Sequence, residues 1–238
     1  MNQLIHEEEI NESVMKERAN ILGVNLELPR VLIFLECIGD IENINFSKLM
    51  RSVHYELDKA DLIALTYNNN IVILKYVKKE ENDLHHFLSR IAKPIKEHAN
   101  DFFLISSGSF APTIKELKTS FINAQKTIKV GRILFPFQNV YHFNQLQLEV
   151  LLSQLGQVKM FTFYNEIKEH DKNGELQQTL QAFINENGEL NKVAESLFIH
   201  RNTLRYRLDK ITELTGKDPR KIKDLIELYT AKILHELK

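Results

Sequence analysis

GELNKVAESL (residues 188–197) runs directly into FIHRNTLRYRL (residues 198–208), and these two pieces decide the C-terminal fold. In the first, Leu190, Val193, Ala194 and Leu197 recur at i, i+3, i+4 and i+7, which predicts a helix of about two turns with one apolar face. Phe198-Ile199 then reads as a tight hydrophobic connection. In the second, Leu204, Leu208 and Ile211 repeat at i, i+4 and i+7 and must face a core. Each helical residue turns by about 100°, so Asn202 and Tyr206 point away from that stripe. Thr203 and Arg205 flank them, and Arg201 and Arg207 lie nearer the edges of the apolar face.

A short helix, a tight turn and a second helix with Arg, Asn, Thr and Tyr on its outer N-terminal face suit a helix-turn-helix reading duplex DNA. Arginine can donate two hydrogen bonds to guanine O6 and N7, and asparagine can pair with adenine. Threonine and tyrosine reach phosphates or a thymine methyl. The first turn of such a helix enters the major groove, where its free amides also favour phosphate. The candidate DNA-binding residues are His200, Arg201, Asn202, Thr203, Arg205, Tyr206 and Arg207, with Lys192 from the preceding helix. His200 sits at the start of the second helix, where touching phosphate and capping the helix are both open. The bland alternative is an amphipathic helix pair with ordinary solvated charge; the turn length and residue placement favour the DNA reading.

Charge agrees with it. The 238 residues carry a net −1, but the window 190–223 holds nine basic residues against four acids, and only Glu195 lies between Lys192 and Asp209. That is a local polyanion-binding patch and not a basic tail. Hydrophobic residues at 43% and charged ones at 26% exclude wholesale disorder. One cysteine, Cys37, excludes an internal disulfide framework and any four-cysteine metal site. The start, MNQLIHEEEI, is no secretory signal, and no 18 apolar residues run together, so a cytoplasmic chain without a membrane span is expected.

Upstream the pattern changes. A helix is expected over about 5–22, with Gly23 as its left-handed cap. VLIFLECI (31–38) is nearly continuously apolar, as in a strand buried on both faces. A helix follows over 45–59, with Phe46, Leu49, Val53 and Leu57 on one side. LIALTY (62–67) and IVILKY (71–76) flank Asn68-Asn69-Asn70, a natural hairpin because asparagine tolerates positive φ. A long helix over about 80–99, bent or not at Pro94, leads to a strand at FFLIS (102–106). Thr113-Ile-Lys-Glu116 has capping-box spacing for a helix that continues to Gly131. The βαββαβ alternation predicts an α+β, ferredoxin-like domain followed by an all-α domain. The expected boundaries are 1–143 for the α/β domain with its N-terminal helix, 144–173 for a helical connector, and 174–238 for the helix-turn-helix domain.

LNKVAESLFIHRNTLRYRLDKITELTG, and HRNTLRYRL (200–208) above all, resembles the C-terminal helix-turn-helix of the PucR and carbohydrate-diacid (CdaR-type) bacterial transcription regulators. LGVNLELPR (22–30) and SFINA (120–124) resemble their GGDEF-like middle domain. The resemblance implies a sequence-specific DNA-binding transcription regulator acting on double-stranded DNA, and reading two half-sites implies a homodimer. Such regulators carry an upstream sensory domain; here only about 25 residues precede the middle domain, so a shortened relative or a fragment is expected and the effector stays unknown. In active diguanylate cyclases a Gly-Gly-Asp/Glu-Glu-Phe turn admits nucleotide and holds Mg²⁺. By resemblance that turn falls at Asn68-Asn69-Asn70-Ile71-Val72, which supplies no carboxylate pair. An enzyme is therefore not expected, nor a cofactor or a metal. The alternatives are a nucleotide- or small-ligand-binding sensor module and, less favoured, an active cyclase.

Remaining candidates take ordinary readings. Cys37 reads as a small buried hydrophobe, and His85-His86 and His98 lack metal-ligand spacing. His6-Glu7-Glu8-Glu9 reads as an acidic helix start. Phe161, Phe163 and Tyr164 read as connector packing. Asp218-Pro219 has the form of an N-cap and first turn. Ile222, Leu225, Ile226, Tyr229 and Ile233 read as the face that packs the final helix on the helix-turn-helix core.

Overall fold

The computed structural model describes residues 12–21, 23–39, 44–66, 68–78, 83–100, 102–155 and 163–237. The chain divides into two compact units, up to Val150 and from Leu151 onward.

The N-terminal unit orders as α1 (Glu12–Ile21), β1 (Arg30–Cys37), α2 (Phe46–Tyr55), β2 (Leu62–Leu65), β3 (Ile71–Tyr76), α3 (Asp83–Ala99), β4 (Phe103–Ala111), α4 (Ile114–Leu134) and β5 (Val140–Tyr141). Helix α5 (Phe143–Leu152) follows, broken at Leu146, and crosses the division. Ile5, Ile10, Leu22, Gly156, Phe161 and the acidic run 6–9 lie outside the described residues. The cap on α1 is as expected: Gly23 is left-handed (φ 71°), and the N–H groups of Gly23 and Val24 return to the carbonyls of Asn20 and Ala19.

The sheet order is β2-β3-β1-β4-β5, with β1 antiparallel to both β3 and β4 and β5 parallel to β4. Strands β2, β3, β1 and β4 are the ferredoxin-like core. Strand β1 is central, and its alternate residues enter two different layers. Val31, Ile33 and Leu35 pack with Leu49 and Val53 of α2 and Phe87, Leu88, Ile91 and Ile95 of α3. Phe34 meets Phe121 of α4 edge-on at 5.4 Å, and the Leu32 N–H donates to Ser120 Oγ at 3.1 Å. The continuous apolar run of β1 is thus the consequence of helices on both sides.

Two features exceed the sequence expectation. Strand β4 runs on to Ala111 through Ser106-Ser107-Gly108-Ser109, and β5 adds a fifth strand of only two residues. The small residues of β4 let α4 lie close against it. Ser106 Oγ donates to the Ala124 carbonyl (2.7 Å), Ser120 Oγ donates to the Ser109 carbonyl (2.5 Å), and a Cβ on Gly108 would stand 1.9 Å from the Ser120 carbonyl oxygen. The cap of α4 is anchored by Glu116, whose carboxylate accepts from both the backbone N–H and the hydroxyl of Thr113. At the other edge, β2 has four residues and pairs only with β3.

A buried polar knot locks β1 and β3 to the loop before β2. Arg30, 1% exposed, donates to the carbonyls of Ala60 (2.6 Å), Leu74 (3.1 Å) and Asn25 (2.9 Å), leaving its Nε unpartnered. Burial lowers the Arg30 pKa while nearby Asp61 raises it. Asp61 accepts from Lys75 Nζ (2.9 Å) and from the backbone N–H groups of Tyr76 (2.8 Å) and Asp58 (2.9 Å). Lys75 also reaches Asp58 (2.5 Å) and lies over the Phe87 ring.

His142, just before α5, stacks on His85 of α3 with ring centroids 4.8 Å apart. Burial, and secondly His85, push the His142 imidazole below its ordinary value. As pH falls, the unfolded chain therefore takes up this proton before the folded one does. The stability contribution is intact above about pH 6.5 and is lost as the pH falls toward the lower folded value. His142→Gln should flatten the acid limb of a plot of urea midpoint against pH; an unchanged slope would show that this imidazole does not set it.

The C-terminal unit contains α6 (Tyr164–His170), α7 (Glu175–Asn185), α8 (Leu190–Ser196), α9 (Arg201–Thr215) and α10 (Ile222–Glu236). One core cluster joins Tyr164, Ile167, Leu176, Leu180, Ile211, Leu228 and Ala231, and a second joins Phe183, Val193, Ala194, Leu204 and Leu208. Leu225 packs against both. Two expectations need correction. Helix α10 begins at Ile222 and not at Pro219: Asp218 heads the preceding turn, accepting from the Arg220 N–H, while its own N–H donates to Asp224. Ile222 and Ile226 are 77% and 59% exposed, so the buried face of α10 is carried by Leu225, Leu228 and Ala231. Of the expected stripe Leu225 packs on both clusters and Ile233 is buried, and Leu228 joins them in place of Ile222 and Ile226.

Candidate nucleic-acid interface

Helices α8 and α9 are joined by four residues, Leu197 to His200, and the joint is fixed by backbone hydrogen bonds. The N–H of Phe198 returns to the Glu195 carbonyl (3.1 Å) and that of Ile199 to the Ala194 carbonyl (3.0 Å). This double return ends a helix in a left-handed residue, usually glycine. Asn187 occupies the equivalent place after α7 (φ 52°). After α8 the residue is Phe198, at φ 54°. A left-handed backbone costs an L-residue with a Cβ roughly 1–2 kcal/mol. Ile199 tucks into the second core cluster, whereas Phe198 is 96% exposed. The expected hydrophobic connection is therefore half correct: one of its two apolar residues is packed and the other stands in solvent.

His200 is the N-cap of α9. Its backbone is extended, and its ring Nδ1 accepts from the Asn202 N–H at 3.3 Å. Of the two roles open to it, capping is the one its geometry displays. Beyond it the core stripe is as expected: Leu204, Leu208 and Ile211 are at most 1% exposed. Arg201, Asn202, Thr203, Arg205 and Tyr206 are all exposed, Tyr206 at 66%.

Ion pairing separates the basic residues of this region. Arg207 is turned inward, with its side chain 13% exposed and Nη2 2.7 Å from Glu175 of α7, so it ties α9 to α7 and does not face outward. Lys192 is exposed but pairs with Glu189 at 2.9 Å. Lys210 pairs with Glu213, whose hydrogen bond raises the ammonium pKa. Lys217 pairs with Glu227, and Arg220 with Asp209 and Asp218. Among the described residues no acid lies within ion-pair distance of Arg201, Arg205, Lys221 or Lys223, all four of which are exposed, although Lys221 is near enough to Asp218 to help lower its pKa. The basic window thus narrows to two arginines on the outer start of α9 and two lysines at the start of α10. Lys221 and Lys223 were not singled out by sequence, since only the pairing pattern distinguishes them from their neighbours.

The turn between β2 and β3 is held by its asparagines. Asn69 is left-handed (φ 58°), and Asn70 uses its side-chain oxygen to accept from the Cys37 N–H (2.9 Å). Ile71 and Val72 are fully buried. Cys37 closes β1 half-buried, its thiol 3.9 Å from the Gly39 carbonyl. Among the described residues no group of three or more His, Cys, Asp or Glu is placed to hold a metal ion.

Family models match the two units in turn. Residues 7–130 match the GGDEF-like domain, and residues 176–234 match the PucR C-terminal helix-turn-helix domain. The chain belongs to the GGDEF-like domain family, and its C-terminal part matches the PucR-type helix-turn-helix. Among its relatives, the carbohydrate diacid regulator of Escherichia coli (strain K12) is 29% identical over 98% of this chain and 64% of its own length. The proline-responsive transcriptional activator PutR of Bacillus subtilis (strain 168) is 25% identical over 96% of this chain and 59% of its own length. The chain thus spans under two thirds of the length of these two relatives. A solved structure, the regulator of polyketide synthase expression from Bifidobacterium adolescentis, aligns over 98% of this chain and 90% of its own with a TM-score of 0.46 at 18% identity. No described helix is long and apolar enough to cross a membrane.

Proposed function

We propose that the chain is a cytoplasmic, sequence-specific DNA-binding transcription regulator of the sugar-diacid/PucR type. The observation that carries this reading is the outer start of α9, where Arg201, Asn202, Thr203, Arg205 and Tyr206 stand in solvent and neither arginine meets an acid among the described residues. Residues 174–238 act as the DNA-binding domain, 144–173 as its helical connector and 1–143 as the GGDEF-like domain. Arg201, Asn202 and Arg205 read base edges in the major groove, while Thr203 and Tyr206 take phosphate or a thymine methyl. His200 presents the helix start by capping it, and Lys192 lends charge from α8. Arg207 serves by holding α9 on α7. One such module covers a few base pairs, so the working form is a homodimer on two half-sites.

No catalytic step is assigned to the GGDEF-like domain. The turn that holds nucleotide and Mg²⁺ in cyclases has its Asn70 amide committed to β1 and its next two residues in the core. Incubation with GTP and Mg²⁺ should give no cyclic dinucleotide; any such product would replace this reading with the enzymatic one.

Arg205→Ala should weaken binding to the chain's own upstream DNA by about 1–3 kcal/mol and relax preference at one base pair. Fluorescence anisotropy against specific and random duplexes measures both. Equal affinity of the wild type for the two duplexes at physiological salt would sink the proposal.

A further inference from the structure

We infer that Phe198 is a specificity-determining contact whose ring receives the C5-methyl group of a thymine in the major groove. The inference rests on the DNA reading above. Three observations converge on this residue. Its ring is 96% exposed, so it stabilises no core. Its backbone sits at φ 54°, where glycine would fit without strain, and the turn is held by the N–H groups of residues 198 and 199, which any non-proline side chain would leave in place. The fold therefore does not ask for phenylalanine at this position, and a strained residue kept at a candidate site points to a task performed there.

Position supplies the task. Phe198 lies two residues before the cap of α9 and four before Asn202, so it borders the face that would enter the groove. It lines a shallow groove with Asn191, Ala194, Glu195 and Ile199. An apolar ring gains nothing from phosphate, and the carboxylate of Glu195 beside it repels phosphate. The thymine methyl is the apolar group that base edges present in the major groove. Its neighbours Arg201 and Asn202 read hydrogen-bonding edges, so the ring would add discrimination for thymine beside them.

The test uses the full chain and a duplex that the wild type enriches from a randomised library. Each thymine is replaced singly by uracil, which deletes only the methyl group. Wild-type affinity should fall by roughly fivefold at one position per half-site, the low end of what one wrong base pair costs. Phe198→Ala should lose affinity by a similar factor and become indifferent to that uracil. Phe198→Gly, which relieves the backbone and keeps the turn, should behave as the alanine variant does with no loss of Tm. Uracil sensitivity that persists in both variants, or is absent from the wild type, would overturn the contact and leave the DNA reading standing. A wild type that enriches no sequence would overturn both.

Discussion

Gly108→Ala should unfold the N-terminal unit or cost it about 3 kcal/mol or more, beyond the usual range for an added methyl. The new Cβ would meet the Ser120 carbonyl oxygen at 1.9 Å and its carbon at 2.6 Å. Both are backbone atoms of α4, so no rotamer change makes room. The helix must lift from β4, which breaks the Ser120 hydrogen bonds to Leu32 and Ser109 and opens the contact between Phe34 and Phe121. Urea unfolding followed by circular dichroism measures the loss. A midpoint within experimental error of the wild type would mean that α4 does not sit as closely as described.

Asp61→Ala should destabilise the same unit by about 3–5 kcal/mol, the range for breaking a buried ion pair from one side. The carboxylate is fully buried, and its loss strands Lys75, whose side chain is 8% exposed, with only the solvent-facing Asp58. Arg30 loses its neighbouring negative charge, and the N–H groups of Tyr76 and Asp58 lose their acceptor. Adding Lys75→Met to Asp61→Ala removes the stranded ammonium but not the orphaned N–H groups, so stability should return in part. Full additivity of the two single losses would show that the pair does not act as a unit.

What could be read from sequence was whatever local chemistry decides alone. The β1 run, the asparagine hairpin, the Thr113–Glu116 cap and the Leu204-Leu208-Ile211 stripe each follow from a periodicity or a capping bond within a few residues. The rest depended on partners distant along the chain. Ser-Ser-Gly-Ser is a poor strand by propensity, and it becomes one because Ser120 and Ala124 of α4, more than ten residues later, need small residues beneath them. Strand β5 exists because Val140 and Tyr141 find the free edge of β4. Periodicity puts Arg207 nearer the apolar edge than Arg205, but its partner Glu175 belongs to another helix and is invisible to local spacing. Ile222 and Ile226 fit the apolar stripe with Leu225 and Ile233, but they stand in solvent while Leu228 packs beside Leu225. Phe198 was the hardest to read, since apolarity argued for packing and only its exposure argues otherwise.

The two outer strands carry a further consequence. With four residues in β2 and two in β5, each rim is shorter than the usual strand of five or six residues. Short rims are one way a fold resists recruiting stray strands. A second copy therefore finds only short ladders at the described rims, which guards the unit against stacking edge-on into fibres when the protein is concentrated on its target.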